Sequence, residues 1–180
     1  MNKLYLMDGY GGSPEINWLS DINKDFNNSF NIQIVEYTDA TIANVKQWDL
    51  DLDKAIKEPN NAYFICHSLG CVTFLRYLSR YNIQIKGAVF VSGFAESIEA
   101  FPQFDPYMQE INLDKIKHLL GDSFLISSRT DTIIDWRISN TLADKLEIPF
   151  ILLPSGGHFT SGEGIIEMPP VKDIIKGRWL

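Results

Sequence analysis

Six short runs of apolar, β-branched and aromatic residues recur along the 180-residue chain. Each has the length and composition typical of a strand, and they occupy residues 3–7, 32–37, 62–66, 87–92, 123–128 and 150–154. The runs are almost continuously apolar rather than alternating, which indicates strands that helices cover on both faces. The pattern therefore predicts a parallel sheet in an α/β protein.

The segments around these runs have helical periodicity. Helices are predicted at residues 14–28, 42–57, 69–81, 114–120, 136–147 and 169–177. In the third of them, apolar residues recur every three positions and predict one buried stripe, at Leu69, Val72, Leu75 and Leu78. Because strand and helix alternate and crossovers are right-handed, we expect a doubly wound, mostly parallel six-stranded sheet in the order 2-1-3-4-5-6. No repeat or linker divides the sequence, so one domain over 1–180 is predicted.

Composition narrows the range of partners. A hydrophobic content of 45% suffices for a substantial core, and a net charge of -7 argues against binding nucleic acid or anionic lipid. The amino-terminal sequence MNKLYLMDGYGG reaches a glycine turn too early for a secretion signal or a membrane span. The two cysteines, Cys66 and Cys71, lack the spacing of a zinc site. We therefore expect a cytoplasmic protein that needs no metal.

Ser68 is the first candidate for chemistry. It lies between the strand 62–66 and the helix 69–81, with Gly70 two positions later. A strand, a tight turn and a helix form the context in which a G-x-S-x-G elbow exposes a serine oxygen at the carboxyl edge of a sheet. Here Cys66 stands at the first glycine position. Cys66 is itself an alternative nucleophile, although its place at the inner end of the strand predicts burial, and buried thiols are usually inert.

A serine nucleophile needs a base, and the chain has three histidines. His67 adjoins Ser68, so its side chain should point elsewhere and support the site. His118 lies at a solvated helix end. His158 follows the last strand in the glycine-rich sequence LPSGGHF, which predicts that it reaches the same sheet edge as Ser68. We therefore expect His158 to be the base.

The acid that orients this histidine should follow the strand 123–128, where Asp131 and Asp135 are available. Asp135 directly precedes a predicted helix, where aspartate is a common N-cap, so Asp131 is the better candidate for the triad. The order serine, aspartate, histidine along the chain is typical of α/β-hydrolases.

Acyl transfer also needs backbone donors for the oxyanion. The N–H of Leu69, directly after the nucleophile, is one candidate. The second should come from the loop DGYGGS at 8–13, where Tyr10 is the first choice and Gly11 the second. In the predicted strand order this loop and Ser68 face one crevice, at the switch point where ligands bind in open α/β sheets.

The irregular segment 93–112 is rich in aromatic residues. We expect it to cover a substrate pocket formed by Phe94, Phe101, Phe104 and Tyr107. The alternative is a packed surface loop with its own small cluster.

These motifs resemble those of the small single-domain α/β-hydrolases of the retinoblastoma-binding protein nine type, whose bacterial branch comprises predicted serine hydrolases or esterases. The resemblance covers nearly the whole chain and rests on DGYGGSPEINW, CHSLGC, SSRTDTII and GGHFTSGEGIIEMPPV. It implies Ser68 as nucleophile, Asp131 as acid and His158 as base. Two residues depart from the usual pattern: Cys66 replaces a glycine, and Asp8 replaces the histidine of an H-G pair and is expected to add negative charge near the oxyanion.

The leading hypothesis is a serine hydrolase that cleaves a small acyl ester through a Ser-Asp-His triad and an acyl-enzyme, without metal or organic cofactor. The alternative is a weakly active or inactive protein of the same fold that binds a protein or metabolite ligand. The retinoblastoma-binding L-x-C-x-E motif is absent from the sequence, so that partner is not implied.

Overall fold

The computed structural model describes residues 1–12 and 17–180. Its strands form one parallel sheet in the order β2-β1-β3-β4-β5-β6, which confirms the predicted fold class. The strands lie within about two residues of the predicted runs: β1 Asn2–Met7, β2 Phe30–Val35, β3 Tyr63–His67, β4 Gly87–Val91, β5 Phe124–Ser128 and β6 Phe150–Leu153.

The helices of the described part are α1 Trp18–Phe26, α2 Val45–Ala55, α3 Leu69–Tyr81, α4 Asp105–Met108, α5 Leu113–Ile116, α6 Trp136–Leu146 and α7 Pro169–Ile174, which continues as a π-helical turn, Ile175–Trp179. Short 3₁₀ turns occur at Pro102–Phe104 and Ser161–Glu163. In this part of the chain, no helix has the length and apolarity that a membrane crossing requires.

Asparagine side chains cap three of the helices and mark where they begin. The first predicted helix starts at 14, but residues 14–16 lie outside the described part, and the Asn17 side chain accepts from the N–H of Leu19 at the start of α1. Asn44 caps α2 in the same way, so α2 begins at Val45, three residues after the predicted start at 42. The helix predicted at 114–120 corresponds to α5, which begins at Leu113 after the cap Asn112 and ends at Ile116, before the predicted end at 120. These side chains satisfy amides that have no partner within the helix.

Helices cover both faces of the sheet. Along β3, Phe64 and Cys66 pack on the face covered by α2, α3, α5 and α6, whereas Tyr63 and Ile65 pack on the face covered by α1 and α7. Successive side chains of a strand point to opposite faces, which explains why each strand is apolar throughout.

Because all strands are parallel, the loops that leave their carboxyl ends share one edge of the sheet. The register pairs Met7 of β1 with Cys66 of β3, and Val91 of β4 with both His67 of β3 and Ile126 of β5. The loops after these strands, and after β6, therefore meet above the middle of the sheet, and the candidate residues lie on them.

Candidate active site

Ser68 lies in a strained turn between β3 and α3. Its φ of +52° and ψ of −123° are unfavourable for a residue with a side chain, and its N–H donates to the Val91 carbonyl at 2.9 Å. A Cβ on Gly70 would lie 2.4 Å from the Asp8 carbonyl oxygen. The turn therefore requires glycine at position 70, as the elbow pattern predicts.

The structure brings Ser68, His158 and Asp131 into one hydrogen-bonded chain. His158 Nε2 lies 2.9 Å from Ser68 Oγ, and His158 Nδ1 lies 2.9 and 3.1 Å from the two carboxylate oxygens of Asp131. All three residues are buried, with 7 to 9% of their surface exposed. They are the side chains that the sequence singled out for the triad.

The Asp131 carboxylate is surrounded by donors. Oδ1 accepts the N–H groups of Ile133 and Ile134 at 2.9 Å each, and Oδ2 accepts the hydroxyl of Ser92 at 2.7 Å. Burial alone would raise the pKa of Asp131, but the hydrogen bond and charge of His158, together with these donors, hold it below its usual range. Sequence reasoning missed Ser92, whose position directly after β4, at the same sheet edge, was the available signal.

Asp135 has the role of helix cap that the sequence predicts. It is the N-cap of α6, where its Oδ1 accepts from the N–H of Arg137 at 2.8 Å. This carboxylate is therefore engaged away from the histidine.

The loop that carries His158 is fixed by residues that the sequence analysis missed or named only within a motif. The N–H of His158 donates to both carboxylate oxygens of Glu163 at 3.0 Å. The indole N–H of Trp18 donates to the Phe159 carbonyl at 3.0 Å, and the N–H of Gly157 donates to Thr130 Oγ1 at 3.0 Å. Three separate parts of the chain thus determine the position of the histidine.

The loop after β1 packs directly against the serine turn. Within it, the N–H of Gly9 donates to Asp8 Oδ1, that of Gly11 to the Ala40 carbonyl, and that of Gly12 to the Gly9 carbonyl. Among the described residues, the N–H of Tyr10 has no acceptor.

The N–H of Leu69 is the second backbone amide to consider, beside that of Tyr10. As the first residue of α3, Leu69 has no partner for its N–H within the helix. A Cβ on Gly9 would lie 3.3 Å from this nitrogen, so the loop and the helix start are in close contact. In the part of the chain that the structure describes, neither of these amides has an acceptor, and Tyr10 lines the same cleft as Ser68.

His67 and Asp8 form a second acid–imidazole pair below the loop. His67 Nδ1 lies 2.9 Å from Asp8 Oδ1, and His67 Nε2 lies 2.8 Å from the His158 carbonyl oxygen. Burial would lower the pKa of His67, but the hydrogen bond and charge of Asp8, together with the His158 carbonyl and the Asp131 charge, raise it above its usual value. Burial would likewise raise the pKa of Asp8, but His67 and neighbouring donors lower it. His67 points away from Ser68, as expected from the sequence.

Neither cysteine is placed for nucleophilic chemistry. Both are free and fully buried, and the Cys66 thiol lies 3.7 Å from the Met7 sulfur. Burial raises the pKa of the Cys66 thiol far above its usual value, which disfavours the reactive thiolate. His118, the remaining histidine, is exposed.

The aromatic residues of 93–112 form a closed cluster, here called the aromatic cluster, comprising Phe94, Phe101, Phe104 and Tyr107 packed with Trp48, Leu69 and Val72. Phe94, Phe104 and Tyr107 are buried, which agrees with the alternative of a packed cluster. The Tyr10 ring meets the Phe104 ring edge-on, with the centroids 5.3 Å apart. The cluster thus lies behind the loop that contains Tyr10.

A cleft of about 150 Å³ opens at Ser68, and none of the four predicted pocket residues lines it. Its walls are the loop after β1, the end of β3 and the histidine loop, with the residues Asp8, Gly9, Tyr10, Gly11, Gly12, Asn17, His67, Ser68, His158, Phe159, Thr160 and Ser161. Across residues 1–12 and 17–180, no three His, Cys, Asp or Glu side chains are grouped so as to hold a metal ion.

Comparison with known proteins places the chain in a family. The chain is 27% identical over 179 residues to YdeN of Bacillus subtilis (strain 168), named as a hydrolase, with 96% of this chain and 94% of YdeN covered. The crystal structure of the B. subtilis ydeN gene product superposes with a TM-score of 0.93 at 25% identity, with 99% of each chain covered. Alpha/beta hydrolase domain-containing protein 10 from mouse shares the fold, with a TM-score of 0.71 at 13% identity over 97% of this chain and 90% of that one. The family described as serine hydrolase matches residues 4–176, and the chain therefore belongs to the serine hydrolase family.

Proposed function

We propose that this protein cleaves small acyl esters, with Ser68 as nucleophile, His158 as general base and acid, and Asp131 as the group that orients the histidine. The observation that carries the proposal is the unbroken chain of hydrogen bonds from Ser68 Oγ through the imidazole to the Asp131 carboxylate. Serine is a weak nucleophile until a positioned base takes its proton, and this arrangement supplies the base.

The reaction follows from the positions of the protons. The carboxylate accepts from His158 Nδ1–H, so Nε2 is free to take the proton of Ser68 Oγ as the oxygen attacks the ester carbonyl. The resulting imidazolium gives this proton to the departing alcohol oxygen, and an acyl-enzyme forms. Water then attacks the acyl group, with His158 acting again as base and returning the proton to Ser68.

The free amides of Tyr10 and Leu69 are the proposed oxyanion donors. Leu69 directly follows Ser68, Tyr10 lines the same cleft, and the amides of the three glycines of the loop, Gly9, Gly11 and Gly12, already have acceptors. This difference supports Tyr10 over Gly11 as the second donor. Backbone donors that are fixed before the reaction stabilise the developing charge without reorganisation.

The proposed substrate has a short, uncharged acyl group. The cleft is small, and of its titratable residues Asp8 and His67 are paired with each other. In this proposal the acyl group lies against Tyr10, which is 42% exposed, and the segment 93–112 supports this residue from behind. Within the family, we assign the chain to the retinoblastoma-binding protein nine type on the motifs described above.

Labelling with a fluorophosphonate probe tests the nucleophile. Wild type should be labelled, Ser68→Ala should not, and Ser20→Ala and Cys66→Ala should remain labelled because neither residue takes part. Labelling lost in Cys66→Ala but kept in Ser68→Ala would reverse the assignment. Failure to label folded wild-type protein would favour the alternative, a ligand-binding protein of this fold.

The substrate class is tested with p-nitrophenyl esters of graded acyl length. Turnover should be highest for acetate and should fall as the acyl chain lengthens, because the cleft is small. A preference for long chains would contradict the proposed binding mode.

A further inference from the structure

Both ring nitrogens of His67 have hydrogen-bond partners, the His158 carbonyl oxygen and the Asp8 carboxyl. Its Nε2 faces the His158 carbonyl oxygen at 2.8 Å, and a carbonyl oxygen can only accept a hydrogen bond. Its Nδ1 faces Asp8 Oδ1 at 2.9 Å. The protonation of Asp8 therefore decides how many protons the ring carries.

The surroundings of Asp8 favour the carboxylate. Oδ1 also accepts the N–H of Gly9 at 2.8 Å, and Oδ2 accepts Asn17 Nδ2 at 2.5 Å. The orientation of the Asn17 amide is fixed, because its oxygen accepts from the N–H of Leu19 as the cap of α1. Among the described residues, every hydrogen-bond partner of the carboxyl other than His67 is thus a donor, and a neutral His67 would direct a lone pair at the carboxylate oxygen.

We propose that Asp8 and His67 form a carboxylate–imidazolium pair that positions the base and the oxyanion loop for the hydrolysis proposed above. The two residues would act as positioning residues, since neither touches Ser68 Oγ. His67 holds the peptide group of His158, while Asp8 occupies the N–H of Gly9 and leaves that of Tyr10 free. The pair is neutral overall, so Asp8 does not place an isolated negative charge beside the oxyanion.

The neighbouring titratable groups are compatible with this assignment. The ring of His158 lies 5.0 Å from that of His67, centroid to centroid, and Asp131 lies on the far side of His158. The Trp18 ring packs edge-on against His67 at 5.8 Å and shields it from water. Two carboxylates therefore flank two imidazoles, and Asp8 is the one in contact with His67.

The protonation state can be measured directly, because the chain has only three histidines. In protein with ¹⁵N-labelled histidine, long-range ¹H–¹⁵N spectra at about pH 7.5, one unit above the ordinary histidine pKa, should show His67 with both nitrogens protonated. His118→Gln identifies the signals of His118, the exposed histidine, by their loss. One unprotonated nitrogen on His67 at this pH would overturn the proposal.

This measurement does not depend on catalysis. The same spectra of Ser68→Ala should keep the doubly protonated His67, so a failure of the proposed hydrolysis leaves this result intact. The measurement uses protein in which Asp8 and His67 are unchanged, so it tests the proposal even if variants of these residues do not fold.

Kinetics test the positioning role. Asp8→Asn and His67→Gln should each lower kcat for p-nitrophenyl acetate by about 10²-fold with little change in KM, as expected when reacting groups are misplaced by about 1 Å. Because the two residues act as a unit, the double variant should cost no more than the larger single effect. Asp114→Asn and His118→Gln, which alter exposed residues, should have wild-type rates. Wild-type kcat in either folded single variant, or losses that multiply in the double variant, would refute the role.

Discussion

The two backbone amides that bind Asp131 make Asp131→Asn an informative change. Ile133 and Ile134 each donate an N–H to Oδ1 at 2.9 Å, so an asparagine must turn its amide oxygen toward them. Its NH₂ group then takes the place of Oδ2, which faces the His158 Nδ1 and the Ser92 hydroxyl. The substitution keeps the shape of the side chain and reverses the hydrogen bonds to His158 Nδ1 and to Ser92.

That reversal changes the tautomer of the base. The NH₂ group lies 2.9 Å from His158 Nδ1, closer than the amide oxygen at 3.1 Å, which already accepts two backbone N–H groups. The NH₂ group therefore donates to Nδ1, and the ring proton moves to Nε2, where it faces Ser68 Oγ. The histidine can then no longer accept the serine proton. A wrong tautomer in a serine triad lowers kcat on the order of 10⁴-fold, which corresponds to about 5 kcal/mol of activation free energy. Because the side chain stays isosteric and bonded, the free energy of unfolding should fall by no more than about 2 kcal/mol.

The assay is turnover of p-nitrophenyl acetate at saturation, with urea unfolding of the same preparations. Asp135→Asn is the matched control on the same loop: asparagine caps a helix as well as aspartate does, so the bond to the Arg137 N–H persists and both activity and stability should be unchanged. If folded Asp131→Asn kept kcat within about tenfold of wild type, a difference of only about 1.4 kcal/mol, the tautomer argument would be refuted.

Three further changes test the frame around the site. Gly70→Ala places a methyl group 2.4 Å from the Asp8 carbonyl oxygen and should cost about 1–3 kcal/mol in urea unfolding, whereas Gly177→Ala, with nothing within 4 Å, should cost nothing. Trp18→Phe removes the donor to the Phe159 carbonyl, so stability should fall by about 1–3 kcal/mol and kcat should fall with it; two unchanged values would contradict this. Because the pKa of Asp8 is lowered in the fold, its stabilising contribution is present above its ordinary pKa of 3.8 and is lost as the pH falls through the folded value. Asp8→Asn should therefore flatten the acid limb of the stability curve.

Much of the fold could be predicted because the core is built from strands that are buried on both faces. Each strand is then a short apolar run, and the helices between them fix the parallel direction. The same topology explains why Ser68, Asp131 and His158 could be selected. Each follows a strand, and parallel strands bring their carboxyl ends to one edge.

The residues that support the histidine were harder to find. Glu163 and Thr130 act through loop conformations that only the folded chain defines. The Asp8–His67 contact joins residues 59 positions apart, and its protonation depends on hydrogen bonds at both ring nitrogens. The sequence therefore predicted only the negative charge of Asp8 and not its pairing with His67. Composition likewise could not distinguish an open aromatic pocket from a packed cluster in 93–112, since both need the same side chains.

Every polar group of His158 has a hydrogen-bond partner, and this determines how substitutions at those partners affect the site. Nε2 meets Ser68, Nδ1 meets Asp131, the N–H meets Glu163 and the carbonyl meets His67. Four partners thus fix the ring and the peptide group before a substrate binds. The rate of an acyl transfer depends strongly on this positioning of the reacting groups. Losing one partner leaves three to keep the loop folded but lets the ring shift. We therefore expect that a substitution at one of these partners raises the activation free energy of the reaction by more than it lowers the free energy of unfolding.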